Sequence, residues 1–190
     1  MNYYKLIYQI PNSVQESIDA LVEKNIVVDV LINNADIKDD AMAHKMTDEQ
    51  FKHVVETNVM GTFYITKRIL PMMRKQKYGR IINISSGLAQ HGGLAKLNYG
   101  ASKAAIENMT KNLAIELGPF GITVNTVAPG LIETEMTKAV TEKEKDAYRK
   151  KIPIRRLVEA KDVAHACLFF ADEKSSAISN QVIGVNGGLR

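Results

Sequence analysis

The sequence contains no tryptophan and one cysteine, Cys167, so neither a disulfide framework nor a cysteine-rich metal site can be built from it. A chain with one thiol suits the reducing cytoplasm, which is the expected setting. No apolar run approaches the roughly 20 residues that cross a bilayer. Met1–Ile10 lacks the basic start, apolar core and cleavage site of a secretion signal. An excess of one charge sign is also missing. The net charge of +4 comes from 25 basic and 21 acidic residues scattered along the chain, which argues against nucleic acid as the main partner. Glycine is absent from the first 60 residues, since all 12 lie at or after Gly61, so no glycine-rich phosphate loop can form there. What is present is 190 residues with 45% hydrophobic content, enough for one globular domain over 1–190 with a true core.

The pattern alternates strands and helices. Residues 4–10 read as a short strand. Ser13 and Glu16 form a capping box, opening a helix to about Lys24 with Val14, Ile18, Leu21 and Val22 on one face. Ile26–Ile32 is β-branched and apolar apart from Asp29, as in a strand covered on both faces. A second box at Thr47 and Gln50 opens a helix over about 48–76, in which Gly61 and Pro71 predict an interruption and a change of direction. Arg80–Ser85 reads as a strand, 99–117 as a helix stopped by Gly118-Pro119, and Thr123–Val127 as a buried strand. A charged segment, 131–160, with a third box at Thr141 and Glu144, reads as a lid or substrate loop around a helix. Lys161–Ala171 is a further helix and Gln181–Val185 the last strand. The expected class is α/β with a parallel sheet whose strand C-termini share one edge.

Ligands of such sheets bind beyond the strand C-termini, and those positions are polar here: Asn33-Asn34-Ala35, Ser85-Ser86, Pro129-Gly130 and Asn186-Gly187-Gly188. Tyr99 and Lys103 lie four apart and project from one helix face. A phenol loses its proton near pH 10, and an adjacent ammonium favours the phenolate, so this spacing predicts a tyrosine shifted toward neutral pH that can donate and accept a proton. Ser86 follows a strand, where its hydroxyl can bond a carbonyl oxygen as charge develops. Given a hydride source, these three groups suffice to reduce a carbonyl. Each also has an ordinary reading, as helix surface, turn or cap; their joint order is what favours the chemistry.

That order resembles the short-chain dehydrogenase/reductase family from about residue 13 onward. It is carried by Val28–Ala35, Thr57-Asn58-Val59, Ser86, Tyr99-x-x-x-Lys103, Val127-Ala128-Pro129-Gly130 and Val185-Asn186-Gly187-Gly188. Glu56-Thr57-Asn58, Gly79–Ile82, Gly121–Asn125 and Ile132–Met136 are most similar to the 3-oxoacyl-(acyl-carrier-protein) reductase branch. The resemblance implies a Rossmann-like doubly wound parallel sheet and NADP or NAD as cofactor, with NADPH favoured. It implies reduction of a 3-oxoacyl thioester to its 3-hydroxy product. Tyr99 would be the proton donor, Ser86 would orient the carbonyl, and Lys103 would lower the tyrosine pKa and hold the nicotinamide ribose. Asn58 would hold a water that links Lys103 to a proton relay. Tyr99 and Lys103 would share the cofactor cleft with Asn33 and Ala35 on the adenosine side and with Pro129, Gly130, Ile132 and Thr134 on the other.

Acyl carrier protein is an implied partner. Arg74, Lys75, Lys77 and Arg80 form one candidate docking cluster, and Arg149, Lys150, Lys151, Arg155 and Arg156 a second. The resemblance also implies a homo-oligomer, dimer or tetramer, through 48–76 and 99–117. The family pattern opens with a strand and a Thr-Gly-x-x-x-Gly-x-Gly turn, and this sequence starts beyond both. A fold lacking its first strands is therefore expected, with an edge at 27–32 that Lys5–Ile10 or another chain covers, and with weakened pyrophosphate binding. Asp36 stands where the pattern has glycine, near the expected cofactor phosphates, and Asn180 replaces another glycine; Gln9 stands where an aspartate usually meets the adenine. Two other readings stay open: a non-catalytic relative acting as an assembly or regulatory subunit, and a reductase of a different ketone.

Overall fold

The structure is a computed structural model that describes residues 11–24, 26–132 and 140–189. The strand expected at 4–10, Gln9 and the Thr134 site fall outside the described residues.

Local sequence accounts for most element boundaries. Helix α1 (Pro11–Glu23) starts at Pro11, whose fixed φ suits a first helical position, so Ser13 lies inside the first turn rather than ahead of it as the Ser13/Glu16 box predicts; the helix leads into strand β1 (Val30–Asn33). The Thr47 hydroxyl accepts from the Gln50 N–H while the Gln50 side chain accepts from the Thr47 N–H, so the capping box starts α2 (Asp48–Val55) as its residues predict. The expected long helix does break, but not at Pro71, which lies inside α3 (Gly61–Gln76). The break is a π turn over Glu56–Met60, in which the Gly61 N–H reaches back to Glu56 O. Its cause is visible in the side chains. Asn58 turns to a neighbouring loop, and the Thr62 hydroxyl donates to the Asn58 carbonyl at 2.8 Å.

Strand β2 (Gly79–Ile84), short helix α4 (Leu88–His91), helix α5 (Leu97–Leu117) and strand β3 (Ile122–Pro129) follow, then α6 (Glu142–Lys151), α7 (Ala160–Ala171) and β4 (Val182–Val185). The sheet runs β1-β2-β3-β4 with every pair parallel. Strands β2 and β3 are buried along their whole length, and their polar residues, such as Asn83 and Thr126, are buried with the isoleucines and valines. Alternate β2 residues serve opposite faces. Ile81 joins Leu31, Ile65, Ile69, Met73, Ile122 and Val124 beneath α1, α3 and α5, whereas Ile82 and Ile84 pack with Val127, Cys167 and Phe170 of α7. Helices thus cover both sides, as the α/β expectation requires.

Only the end of the 26–32 run forms a strand. Its first part packs on α3, with the Val28 N–H against Met72 Sδ and Arg80 N–H on the Asp29 carbonyl. Among the described residues β1 has one neighbour, and Val30 and Ile32 remain exposed.

Arg80 does not belong to an exposed docking cluster. It is 2% exposed, lies against the Tyr78 ring and donates to the Gly79 carbonyl, because its strand is covered on both faces. Asn180 adopts φ 63°, the left-handed conformation that asparagine tolerates better than most residues, which accounts for asparagine substituting for glycine there.

Candidate active site

A buried polar chain holds the strand ends in register. Asn33 Nδ2 donates to Asn83 Oδ1 (2.8 Å) and to Thr66 Oγ1 (3.1 Å), and Asn83 Nδ2 donates to Thr110 Oγ1 (2.8 Å). Thr110 Oγ1 in turn meets Thr126 Oγ1 at 2.8 Å. The chain ties β1, β2 and β3 to α3 and α5. The loops and the helix that carry the candidate residues all leave from it. The Asn33 side chain therefore belongs to the sheet, while Ala35, two residues on, is exposed.

The serine pair divides its work. Ser85 points inward, donating to Glu107 Oε1 at 2.9 Å on α5. Ser86, just after β2, caps its own turn by accepting from the Leu88 N–H at 3.2 Å. Tyr99 and Lys103 sit on one face of α5, with the Lys103 ammonium 5.4 Å from the tyrosine ring centroid. Lys103 is 1% exposed and donates to the Ile84 carbonyl at 2.9 Å. The structure thus brings Ser86, Tyr99 and Lys103 together.

A fourth group joins them. The Asp36 carboxylate accepts the Tyr99 O–H at 2.8 Å and pairs with Lys103 Nζ at 2.7 Å, through the same oxygen. This reverses the expected tuning of the phenol. Burial raises the Tyr99 pKa well above its ordinary value, the adjacent Asp36 charge and hydrogen bond raise it further, Asp40 adds to them, and Ser86 only partly opposes. Burial lowers the Lys103 pKa, and Asp36 counteracts this. An ammonium already matched by a carboxylate no longer draws the phenol toward its anion. Asp36 thus engages the phenol and the ammonium directly.

Asn58 holds that loop. Its Oδ1 accepts from the Ile37 N–H at 2.9 Å, and its Nδ2 donates to the Ile37 carbonyl and the Ser102 hydroxyl, each at 3.0 Å. Asn98, which the sequence reading passed over, adds a second clasp by donating to the Asp39 carbonyl at 2.7 Å. It directly precedes Tyr99, which was the available signal. The remaining candidates join loop ends: the Gly87 N–H donates to the Pro129 carbonyl, the Gly130 N–H to the Val185 carbonyl, and Ile132 bridges to Val158. An open groove of about 520 Å³ runs alongside, lined by Met42, Leu88, Leu94, Leu97 and Ala101 among others but by none of Ser86, Tyr99 or Lys103.

A parallel α/β sheet with a Tyr-x-x-x-Lys pair and a serine beyond its strand ends defines a Rossmann-like oxidoreductase. The family described as Enoyl-(Acyl carrier protein) reductase matches residues 9–190. The chain belongs to the short-chain dehydrogenase/reductase family, whose members are NAD(P)-dependent oxidoreductases. It is 40% identical over 178 residues to the 3-oxoacyl-(acyl-carrier-protein) reductase of Thermotoga maritima, covering 94% of this chain and 72% of that protein. Identity to the enzyme of the same name from Rickettsia conorii is 43% over 169 residues, or 89% and 70% of the two chains. Among solved structures it is similar to a gluconate 5-dehydrogenase from Burkholderia cenocepacia in complex with NADP and tartrate. The TM-score is 0.91 at 27% identity, covering 95% of this chain and 71% of that one.

Proposed function

We propose that the protein reduces the 3-keto group of an acyl thioester carried on acyl carrier protein, using NADPH, to the 3-hydroxyacyl thioester. The observation that carries this reading is that the Tyr99 phenol and the Lys103 ammonium meet at one oxygen position, with Lys103 bonded to the Ile84 carbonyl at the C-terminal end of β2, which Ser86 follows. The names of the 36–43% identical relatives support the substrate class.

The bound cofactor supplies the hydride. The protein supplies position and a proton. Ser86 donates to the ketone oxygen, and Tyr99 delivers its hydroxyl proton to that oxygen as negative charge develops there. Lys103 would hold the nicotinamide ribose through its ammonium protons and stabilise the phenolate left behind. The Tyr99 and Lys103 donors meet at one oxygen position, a geometry that suits a sugar hydroxyl or a carbonyl, and the Asp36 oxygen lies at that point. Asn58 acts by positioning the Ile37 segment rather than by touching substrate. Ala35, Pro129, Gly130 and Ile132 would line the cofactor cleft by their backbones, with Asn33 bracing the strand behind them. An acidic carrier protein would dock on the exposed Arg74, Lys75 and Lys77; in the second cluster Arg149 and Arg156 are already paired with Asp146 and Asp162.

The test is loss of reduced-nicotinamide absorbance with acetoacetyl thioester as substrate, with NADH and gluconate-type substrates run for comparison. The reading expects NADPH-dependent turnover of the thioester; turnover of the sugar acid alone refutes it. A second reading, a non-catalytic relative serving as a regulatory or assembly subunit, draws on the Asp36 contacts and expects no turnover of any ketone.

A further inference from the structure

We propose that the Asp36 carboxylate is an internal ligand of the Tyr99–Lys103 donor pair, one that an oxygen-bearing cofactor or substrate must displace before the site can work. This inference rests on the reductase reading and specifies how its site is regulated. The phenol O–H and the ammonium are the two donors that a ketone or sugar hydroxyl would use, and both are directed at a single Asp36 oxygen, at 2.8 and 2.7 Å. A ligand that needs the same donors competes with this carboxylate directly.

The arrangement is built rather than incidental. Asn58 grips both backbone groups of Ile37, the residue after Asp36, and Asn98 holds the Asp39 carbonyl. Lys96 pairs with Asp40 on the far side of the loop. The aspartate is thereby anchored from three directions at a position where glycine, lacking a side chain, would leave both donors open. The contact is also favourable by itself: a charge-assisted pair with a 1% exposed lysine supplies the anion that a buried ammonium otherwise lacks. The charged and polar groups that face the phenol are Asp36 and Asp40 from the loop after β1, Lys103 from its own helix and Ser86 from the turn after β2. Of these, only Asp36 contacts both donors.

The test uses the full chain as wild type, Asp36→Asn and Asp36→Gly, with folding of each verified by circular dichroism. Tyrosine labelled with carbon-13 at Cζ is titrated by NMR, and Tyr99→Phe assigns the relevant peak. In the wild type, Tyr99 should remain protonated above the ordinary phenol range near pH 10; in both variants its ionisation should move down by about a pH unit or more. NADPH binding, followed by nicotinamide fluorescence, should tighten on the order of tenfold or more in Asp36→Gly, and less in Asp36→Asn, whose amide oxygen still accepts from Tyr99. Tyr99 ionising at the same pH in all three proteins, or Asp36→Gly binding NADPH no tighter than wild type, overturns the proposal. The tyrosine titration involves no ketone. A folded Asp36→Gly protein that binds NADPH but reduces no thioester therefore contradicts the reductase reading and leaves the internal-ligand result standing.

Discussion

Replacing Asn83 with alanine tests whether the buried polar chain, rather than apolar packing alone, fixes the strand ends that carry the site. Asn83 is fully buried and makes two side-chain bonds, accepting from Asn33 and donating to Thr110, both at 2.8 Å. A buried hydrogen bond contributes about 1 kcal/mol net, and a donor or acceptor left unpaired adds about 1–3 kcal/mol. Here the partners keep alternatives: Asn33 retains Thr66, and Thr110 retains Thr126 and the Ile106 carbonyl. The loss of both bonds plus the cavity should total about 3 kcal/mol, or a fall in Tm of roughly 6–12 °C for a chain of this size. Thr126→Val, which removes one bond and keeps the shape, should cost only about 1 kcal/mol. Equilibrium urea unfolding of both variants measures these losses. Asn83→Ala costing under about 1 kcal/mol, or Thr126→Val costing as much as Asn83→Ala, would refute the reasoning.

Two glycines near the end of α5 should respond in opposite ways. A Cβ on Gly121 would lie 2.6 Å from the Lys77 carbonyl at φ +69°, so Gly121→Ala should destabilise by roughly 2 kcal/mol or more. Gly118 meets nothing, and Gly118→Ala should be neutral or stabilising by up to about 1 kcal/mol; thermal melts decide between them. At the start of α7, the Arg156 guanidinium and the Glu159 N–H hold the Asp162 carboxyl down from its ordinary 3.8 to about 2. Its folded-state pKa lies below the unfolded one, so its stabilisation is complete above pH 3.8 and fades as the pH falls toward 2. Asp162→Asn should therefore melt below wild type at neutral pH and converge with it under acid; a gap that persists to pH 2 contradicts the assignment.

Features governed by near neighbours were legible in the sequence. The boxes at Thr47/Gln50 and Thr141/Glu144 cap α2 and α6 because their partners lie three residues apart, although Ser13/Glu16 has the same spacing and falls inside α1, which already starts at Pro11. The Tyr99–Lys103 pair shares one face because four residues make about one helical turn. Features governed by distant contacts were not legible. Pro71 does not end α3, and the irregular turn forms instead at Asn58, whose amide bonds a loop 21 residues away in sequence. Arg80 carries a charge, but its strand lies inside the sheet. The Asp36 contacts are of the same kind: Asn58 clasps the residue after Asp36, and the carboxylate meets the phenol and the ammonium. A spacing rule relates residues on one element; this contact joins a loop to a helix 63 residues later.

The most direct measurement follows the hydride and the proton donor together. NADPH carrying deuterium at the nicotinamide C4 position is incubated with acetoacetyl thioester, and the product is analysed by mass spectrometry. The account predicts deuterium at C3 of a 3-hydroxyacyl product with wild-type protein, and a loss of product of at least about a hundredfold in Tyr99→Phe, which keeps the ring but has no proton to give. Equal labelled product from wild type and Tyr99→Phe, or product without the label, would contradict it.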